Sequence, residues 1–254
     1  MGGLGLLELF IVIAAGFLCG ALNAIAGGGT FVTLPVLIWL GIPPTVANAT
    51  ATTMAVPGYI ASVWAYRHDI RAEGALGLRT IIILAAVGGV LGALLLIVTS
   101  PDAFLVLIPW LLLTATILFA LGPQLQRWFE SKGLGLHSTL AAGTMVLVVA
   151  TYGGYFNGGL GIILLAALSL QGYRNLHGMN GLKNLLSSIL STFSVATFVM
   201  ADLIAWDTAL PMAAANICGA YVTSKFVRRV TRVGLLRAII IGLGLAMTVA
   251  FFVT

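Results

Sequence analysis

The chain has 254 residues, 60% of them hydrophobic and 7% charged, with a mean hydropathy of +1.12 and a formal net charge of +5. Soluble domains carry roughly a quarter of their residues as Asp, Glu, Lys and Arg, so this composition excludes a soluble fold and indicates a polytopic membrane protein. The positive balance does not point to nucleic acid, because the basic residues stand in short clusters beside apolar runs, where topology signals and anionic-lipid contacts belong.

Taken in order against about 20 apolar residues per span, the first run is 4–26. It has no basic leader and no small-residue cleavage site, so it reads as a mature span and not as a signal peptide. Asn23 to Thr30 then interrupts the pattern with Gly27, Gly28 and Gly29. Each glycine costs roughly 1 kcal/mol against Ala in a helix interior, so the run predicts a break. At membrane depth a break is tolerated only where protein or water satisfies the freed backbone. An opened helix N-terminus offers N–H donors and the positive end of the dipole, which suits an anion.

A short apolar run, 30–40, ends at the Gly41-Ile42-Pro43-Pro44 turn. Spans are predicted over 45–66, 76–98 and 103–121, with 122–137 as the longest polar connection. The pattern then recurs: a span over 138–156, a break at Asn157-Gly158-Gly159-Leu160-Gly161, a short run over 162–170, a turn at Gln171 to Asn175, and spans over 176–200, to about 223 and over 235–253. Asn23 and Asn157, Gly27 and Gly161, Ile70 and Ile204, and Glu73 and Asp207 correspond at one offset. The expected fold is therefore an all-α membrane bundle of two repeats, 1–121 and 138–254, each of about five helical segments with a short broken helix after its glycine cluster.

Charge orients the repeats. Arg67, Arg71 and Arg79 flank the loop after the third helix, whereas its equivalent carries only Asp202 and Asp207; the next loop has Asp102 in the first repeat but Lys225, Arg228, Arg229 and Arg232 in the second. With Arg127 and Lys132 also inside, the positive-inside rule makes the topology inverted and puts both termini outside.

Inverted repeats with discontinuous helices are a transporter plan in which the site lies where the halves meet. The candidate ligands are Asn23, Gly27, Gly28, Gly29, Thr30, Asn48 and Thr52 in the first repeat, and Asn157, Gly158, Gly159, Gly161, Asn180, Lys183 and Asn184 in the second. Asn48 with Thr52, and Asn180 with Asn184, are spaced to share a helix face. Lys183 reads either as a substrate contact or as a side chain snorkelling to the headgroups. Asn216 is a weaker candidate, read chiefly as packing. Gly16 with Gly20 and Gly88 with Gly92 have small-xxx-small spacing and read as helix contacts. Cys19 and Cys218 read as free thiols, and neither His68 nor His177 has a spaced partner for zinc. No cofactor or metal is expected. The spans lack the carboxylates of a proton relay, and no hydrolase or protease motif is present. The expected partners are a small anionic substrate and the lipid bilayer; homo-oligomerisation is left open, as are a channel and an importer.

The run from Asn23 to Thr30, followed by Leu34-Pro35, Leu40-Gly41-Ile42-Pro43 and Ala47-Asn48-Ala49-Thr50-Ala51-Thr52, resembles the first repeat of the sulfite exporter TauE/SafE family, and Asn157 to Gly161 with Gly172 resembles its second. The resemblance implies an inner-membrane permease of two homologous halves that moves sulfite, sulfonates or related organosulfur anions, usually outward. The second repeat departs from the pattern in lacking the triple glycine and the proline that follows it.

Overall fold

The computed structural model describes residues 5–25, 28–71, 74–131, 138–173, 175–227 and 233–253. Gly27, Glu73, Lys132, Arg228, Arg229 and Arg232, all used in the sequence reading, lie outside them. Among the described residues the structure is all-helical, with ten helices: α1 (Leu6–Ile25), α2 (Thr30–Trp39), α3 (Pro44–Tyr66), α4 (Leu78–Val98), α5 (Pro101–Ser131), α6 (Thr139–Tyr155), α7 (Leu160–Leu170), α8 (Leu176–Met200), α9 (Trp206–Val227) and α10 (Val233–Val253). Both glycine clusters break the chain where expected, and a short helix follows each. Four helices contain stretches long and apolar enough to cross a membrane: Leu6–Ala24, Leu78–Val98, Pro101–Leu118 and Gly178–Met200.

The distribution of polarity is that of a membrane bundle. Leu91, Leu94, Leu95, Val106 and Trp110 face outward, while Asn48, Asn157, Lys183, Asn184, Ser191 and Asn216 are buried. In water this arrangement would leave apolar area exposed and polar groups desolvated; in lipid the outward leucines are already in their preferred solvent.

One boundary differs from the sequence reading. The polar stretch after Leu121 is not all connection, because α5 continues to Ser131. Beyond Pro123 the residues are mostly good helix formers, so the change to polar residues marks where the helix meets water and not where it ends.

The short helices close alike. Gly41 (φ +80°) follows α2 and Gly172 (φ +88°) follows α7. In each case the next residue reaches back, Ile42 N–H to the Leu37 carbonyl and Tyr173 N–H to the Leu168 carbonyl, both at 3.1 Å. This is the Schellman closure, whose left-handed position glycine adopts without a Cβ clash. Proline at the start of α3 then begins the next helix with φ already set.

Packing is reciprocal between α1–α5 and α6–α10. Exchanging the two sets maps the α1–α9 contact onto α6–α4, α3–α9 onto α8–α4, and α5–α7 onto α10–α2. The α1–α9 and α4–α6 seams are the glycine seams. Gly16 lies against the Met212 backbone and Gly20 against Asn216 and Ala220; Gly88 lies against Leu147 and Ala150, and Gly92 against Thr151 and Gly154. Their small-xxx-small spacing therefore serves close backbone approach.

Helix α3 runs antiparallel to α8, and α5 to α10. Gly178 and Gly181 near the start of α8 lie against Asp69, Ile70 and Tyr66 at the end of α3. At the other end, Ala205 beyond α8 donates its N–H to Thr50 Oγ1 near the start of α3 at 3.0 Å. On α5 and α10, Thr116 faces Gly244 and Trp110 packs edge-on against Phe252, the same opposed order.

Candidate functional site

The first break is held by Asn23. Its Oδ1 accepts the Gly29 N–H at 2.9 Å and its Nδ2 donates to Cys19 Sγ at 3.4 Å. A Cβ on Gly29 would collide with Cys19 and Asn23, so this glycine is required by close approach. Phe31 and Val32 N–H donate to the Gly28 and Gly29 carbonyls at 3.2 and 3.0 Å, and Thr30 is buried. These donors at the opened end of α2 are thus used inside the protein, contrary to the expectation that the end would offer them to an anion.

The second break is also held by asparagine. Asn157 Oδ1 accepts the Tyr59 hydroxyl at 2.9 Å, and its Nδ2 donates to Ser191 Oγ at 3.0 Å. Tyr152 donates to the Gly158 carbonyl at 2.8 Å, and Leu160 and Ile162 N–H donate to the Asn157 and Gly159 carbonyls. Gly159, at φ +70°, makes the left-handed turn into α7, while Gly161 is buried within that helix. Asn23 and Asn157 are therefore structural ties at the two breaks, and Asn157 joins α3 to α8.

Two polar stripes extend from the Asn157 tie. On α3, Asn48, Thr52, Ala55 and Tyr59 stand at helical spacing on one face, and on α8 Asn180, Asn184, Ser187 and Ser191 stand at the same spacing. Asn48 donates from Nδ2 to the Tyr155 carbonyl at 2.8 Å. Its Oδ1 and Thr52 Oγ1 are buried without a hydrogen-bond partner among the described residues, as are Asn184 Oδ1 and Nδ2, Ser187 Oγ and Lys183 Nζ. Asn180 is half-buried. Lys183 is 1% exposed and is the one buried charged side chain among the described residues. A snorkelling lysine keeps its ammonium in water or headgroups; this one does not.

The residues proposed from sequence do not converge on one point. Because α3 and α8 are antiparallel, Asn48 and Thr52 lie on one side of the tie and Lys183, Asn184 and Ser187 on the other. Gly181 lies against Tyr66 at the end of α3, and Asn184 and Ser187 lie about one and two turns further toward the tie, so at 1.5 Å per residue Thr52 is roughly 12–17 Å from them along the helix axis.

Asn216 on α9 is fully buried, and a Cβ on Gly58 would fall on its Oδ1. Its amide faces the Cys19 thiol on α1. A groove of about 620 Å³ along α6, lined by Leu140, Ala141, Val148 and their neighbours, faces outward, away from the stripes. Among the described residues no group of His, Cys, Asp and Glu could hold a metal ion.

Sequence reasoning missed Tyr59, Ser187, Ser191 and Gly58. The signal was present as the second stripe, which repeats the first at a shift of 132 positions, whereas the breaks and the ends of these helices match at 134. Helix α8 spans 25 residues against 23 for α3, which accounts for the slip.

An all-helical bundle with an apolar exterior, two broken helices and a buried polar interior belongs to the class of polytopic membrane transporters. Residues 12–251 match the sulfite exporter TauE/SafE family model, and the chain belongs to that family. It is 30% identical over 227 residues to a probable membrane transporter protein of Haemophilus influenzae, covering 88% of this chain and 87% of that one. It is 29% identical to the probable membrane transporter protein ORF9 of Sinorhizobium sp (85% and 82% covered) and 29% identical to the probable membrane transporter protein YfcA of Escherichia coli K12 (87% and 81% covered).

Proposed function

We propose that this protein exports a small anion, sulfite or an organosulfonate, from the cytoplasm across the inner membrane. The observation that carries the reading is Lys183, an ammonium buried beside the unpartnered amide of Asn184 and hydroxyl of Ser187 on the same helix. An uncompensated buried cation costs several kcal/mol, a cost that an anionic substrate offsets. The family description supports sulfur oxyanions as the cargo. The antiparallel pairing of α3 with α8 and of α5 with α10 supports two halves of inverted topology. Arg67, Arg71 and Arg79 support an orientation with the end of α3 at the cytoplasmic face and both termini outside. Export needs no coupling ion when the membrane is negative inside, since the potential contributes about 2.3 kcal/mol per charge per 100 mV.

The test is efflux of sulfite and sulfoacetate from proteoliposomes under an imposed potassium diffusion potential. Inside-negative voltage should accelerate efflux through protein inserted in its native orientation. Indifference to voltage, or failure to move either anion, overturns the reading. Unitary currents in planar bilayers would replace the carrier with a channel.

A further inference from the structure

We infer that the path contains two anion subsites in series: a cytoplasmic one built from Lys183, Asn184 and Ser187, and an external one built from Asn48 and Thr52, with the Asn157 tie between them. The inference rests on the proposed anion export and divides the site expected where the halves meet into two.

Three observations lead to it. First, every one of these five side chains is no more than 1% exposed, and each carries a polar atom unpartnered among the described residues. Second, Asn157 Oδ1 and Nδ2 are engaged by Tyr59 and Ser191, so the point where the stripes meet is closed by hydrogen bonds that join α3 to α8. Third, the opposed directions of α3 and α8 put the two groups roughly 12–17 Å apart along the axis. One small sulfur oxyanion cannot touch both.

The two subsites differ in chemistry because the stripes differ at two positions. The shift of 132 that pairs Asn48 with Asn180 and Thr52 with Asn184 pairs Ala55 with Ser187 and Ala51 with Lys183. The cytoplasmic subsite therefore offers an ammonium, an amide N–H₂ and a hydroxyl, all donors to oxyanion oxygens. In the external subsite one Asn48 N–H is given to Tyr155 and the amide oxygen is an acceptor, so the donors left for an oxyanion are the second Asn48 N–H and the Thr52 hydroxyl, with no cation beside them. Strong capture on the side of supply and weak retention on the side of release is the arrangement that lets an anion both enter and leave. It sets occupancy along the path; the direction of net flux is still set by gradient and voltage.

The experiment is sided thiol labelling of the full-length protein with Cys19 and Cys218 replaced by Ala. The probes are a sulfonate-bearing methanethiosulfonate and its trimethylammonium analogue, applied to intact cells and to inside-out vesicles. Ser187→Cys should react with the sulfonate reagent from the cytoplasmic face about ten-fold faster than from outside, and Thr52→Cys with the opposite sidedness. Adding Lys183→Met should cut the anionic-to-cationic rate ratio at Ser187→Cys about ten-fold and the ratio at Thr52→Cys several-fold less, since the Coulomb interaction falls with distance. Asn184→Cys and Asn48→Cys serve as a second pair if either first variant fails to insert. Labelling of both positions from the same face, labelling of neither, or an equal effect of Lys183→Met at both overturns the two-subsite arrangement. Failure of sulfite and sulfoacetate efflux with the sided pattern intact overturns the proposed cargo instead.

Discussion

Tyr59 on α3 donates a 2.9 Å hydrogen bond to Asn157, the asparagine that ends the second broken segment, and Asn157 passes its own donor to Ser191 on α8. One side chain thus joins the two long helices that bear the polar stripes. Removing it strands two buried hydroxyls, and each unsatisfied buried polar group costs about 1–3 kcal/mol. Asn157→Ala should lower the thermal unfolding midpoint in detergent clearly. Tyr59→Phe, which leaves only one acceptor without its donor, should lower it less. Equal effects would mean that Ser191 gains nothing from the tie.

Gly58 and Asn216 define a second close contact, between α3 and α9, where a Cβ on the glycine falls on the amide oxygen of the asparagine. Gly58→Ala should destabilise by about 1–3 kcal/mol through overpacking. Asn216→Ala in the same chain should recover most of that loss, because the obstructing atom belongs to a side chain. The double-mutant coupling energy is the readout. Gly92→Ala should find no such rescue, since its obstruction is the backbone of Thr151 and Gly154.

Much of this architecture is legible in the sequence, for a physical reason. Glycine runs, Gly-Pro turns and apolar run lengths are local signals, and each constrains backbone directly. Gly28 and Gly29 break the first helix, Gly41 closes the second and Pro44 opens the third without help from distant contacts. The site is less legible because its residues act through tertiary partners. Asn23 and Asn157 look like ligands in sequence, yet their polar atoms are engaged by Gly29, Cys19, Tyr59 and Ser191. Ser187 looks like one of many helix serines that bond back to their own backbone, and only burial without a partner distinguishes it. The antiparallel relation of α3 and α8, which separates Thr52 from Asn184, cannot be read from either helix alone.

Left-handed closures offer a test confined to backbone. Gly41 and Gly172 both have positive φ, and nothing lies within 4 Å of a Cβ built on either. Gly172→Ala should therefore cost only backbone strain, about 1 kcal/mol. Asp202 closes α8 in the same way at φ +53° without being glycine, with Leu203 N–H donating to the Phe198 carbonyl at 3.0 Å. Asp202→Gly should accordingly stabilise by up to about 1 kcal/mol, and a shift of the unfolding midpoint in opposite directions for the two variants is the check.

Lys183 separates function from stability. Replacing a buried ion by an apolar side chain of similar volume is often neutral or stabilising by about 1–4 kcal/mol, and methionine matches the lysine stem. Lys183→Met should keep or raise the unfolding midpoint while abolishing anion efflux from proteoliposomes. Lys183→Arg retains the charge but delivers it as a planar fork in place of a compact ammonium, so it should keep a reduced rate. A structural lysine, whose stem rather than its charge supports the bundle, would show the reverse: Met would transport normally, and Arg, being larger, would be the damaging change. Midpoint and efflux rate measured on the same preparations decide between the two.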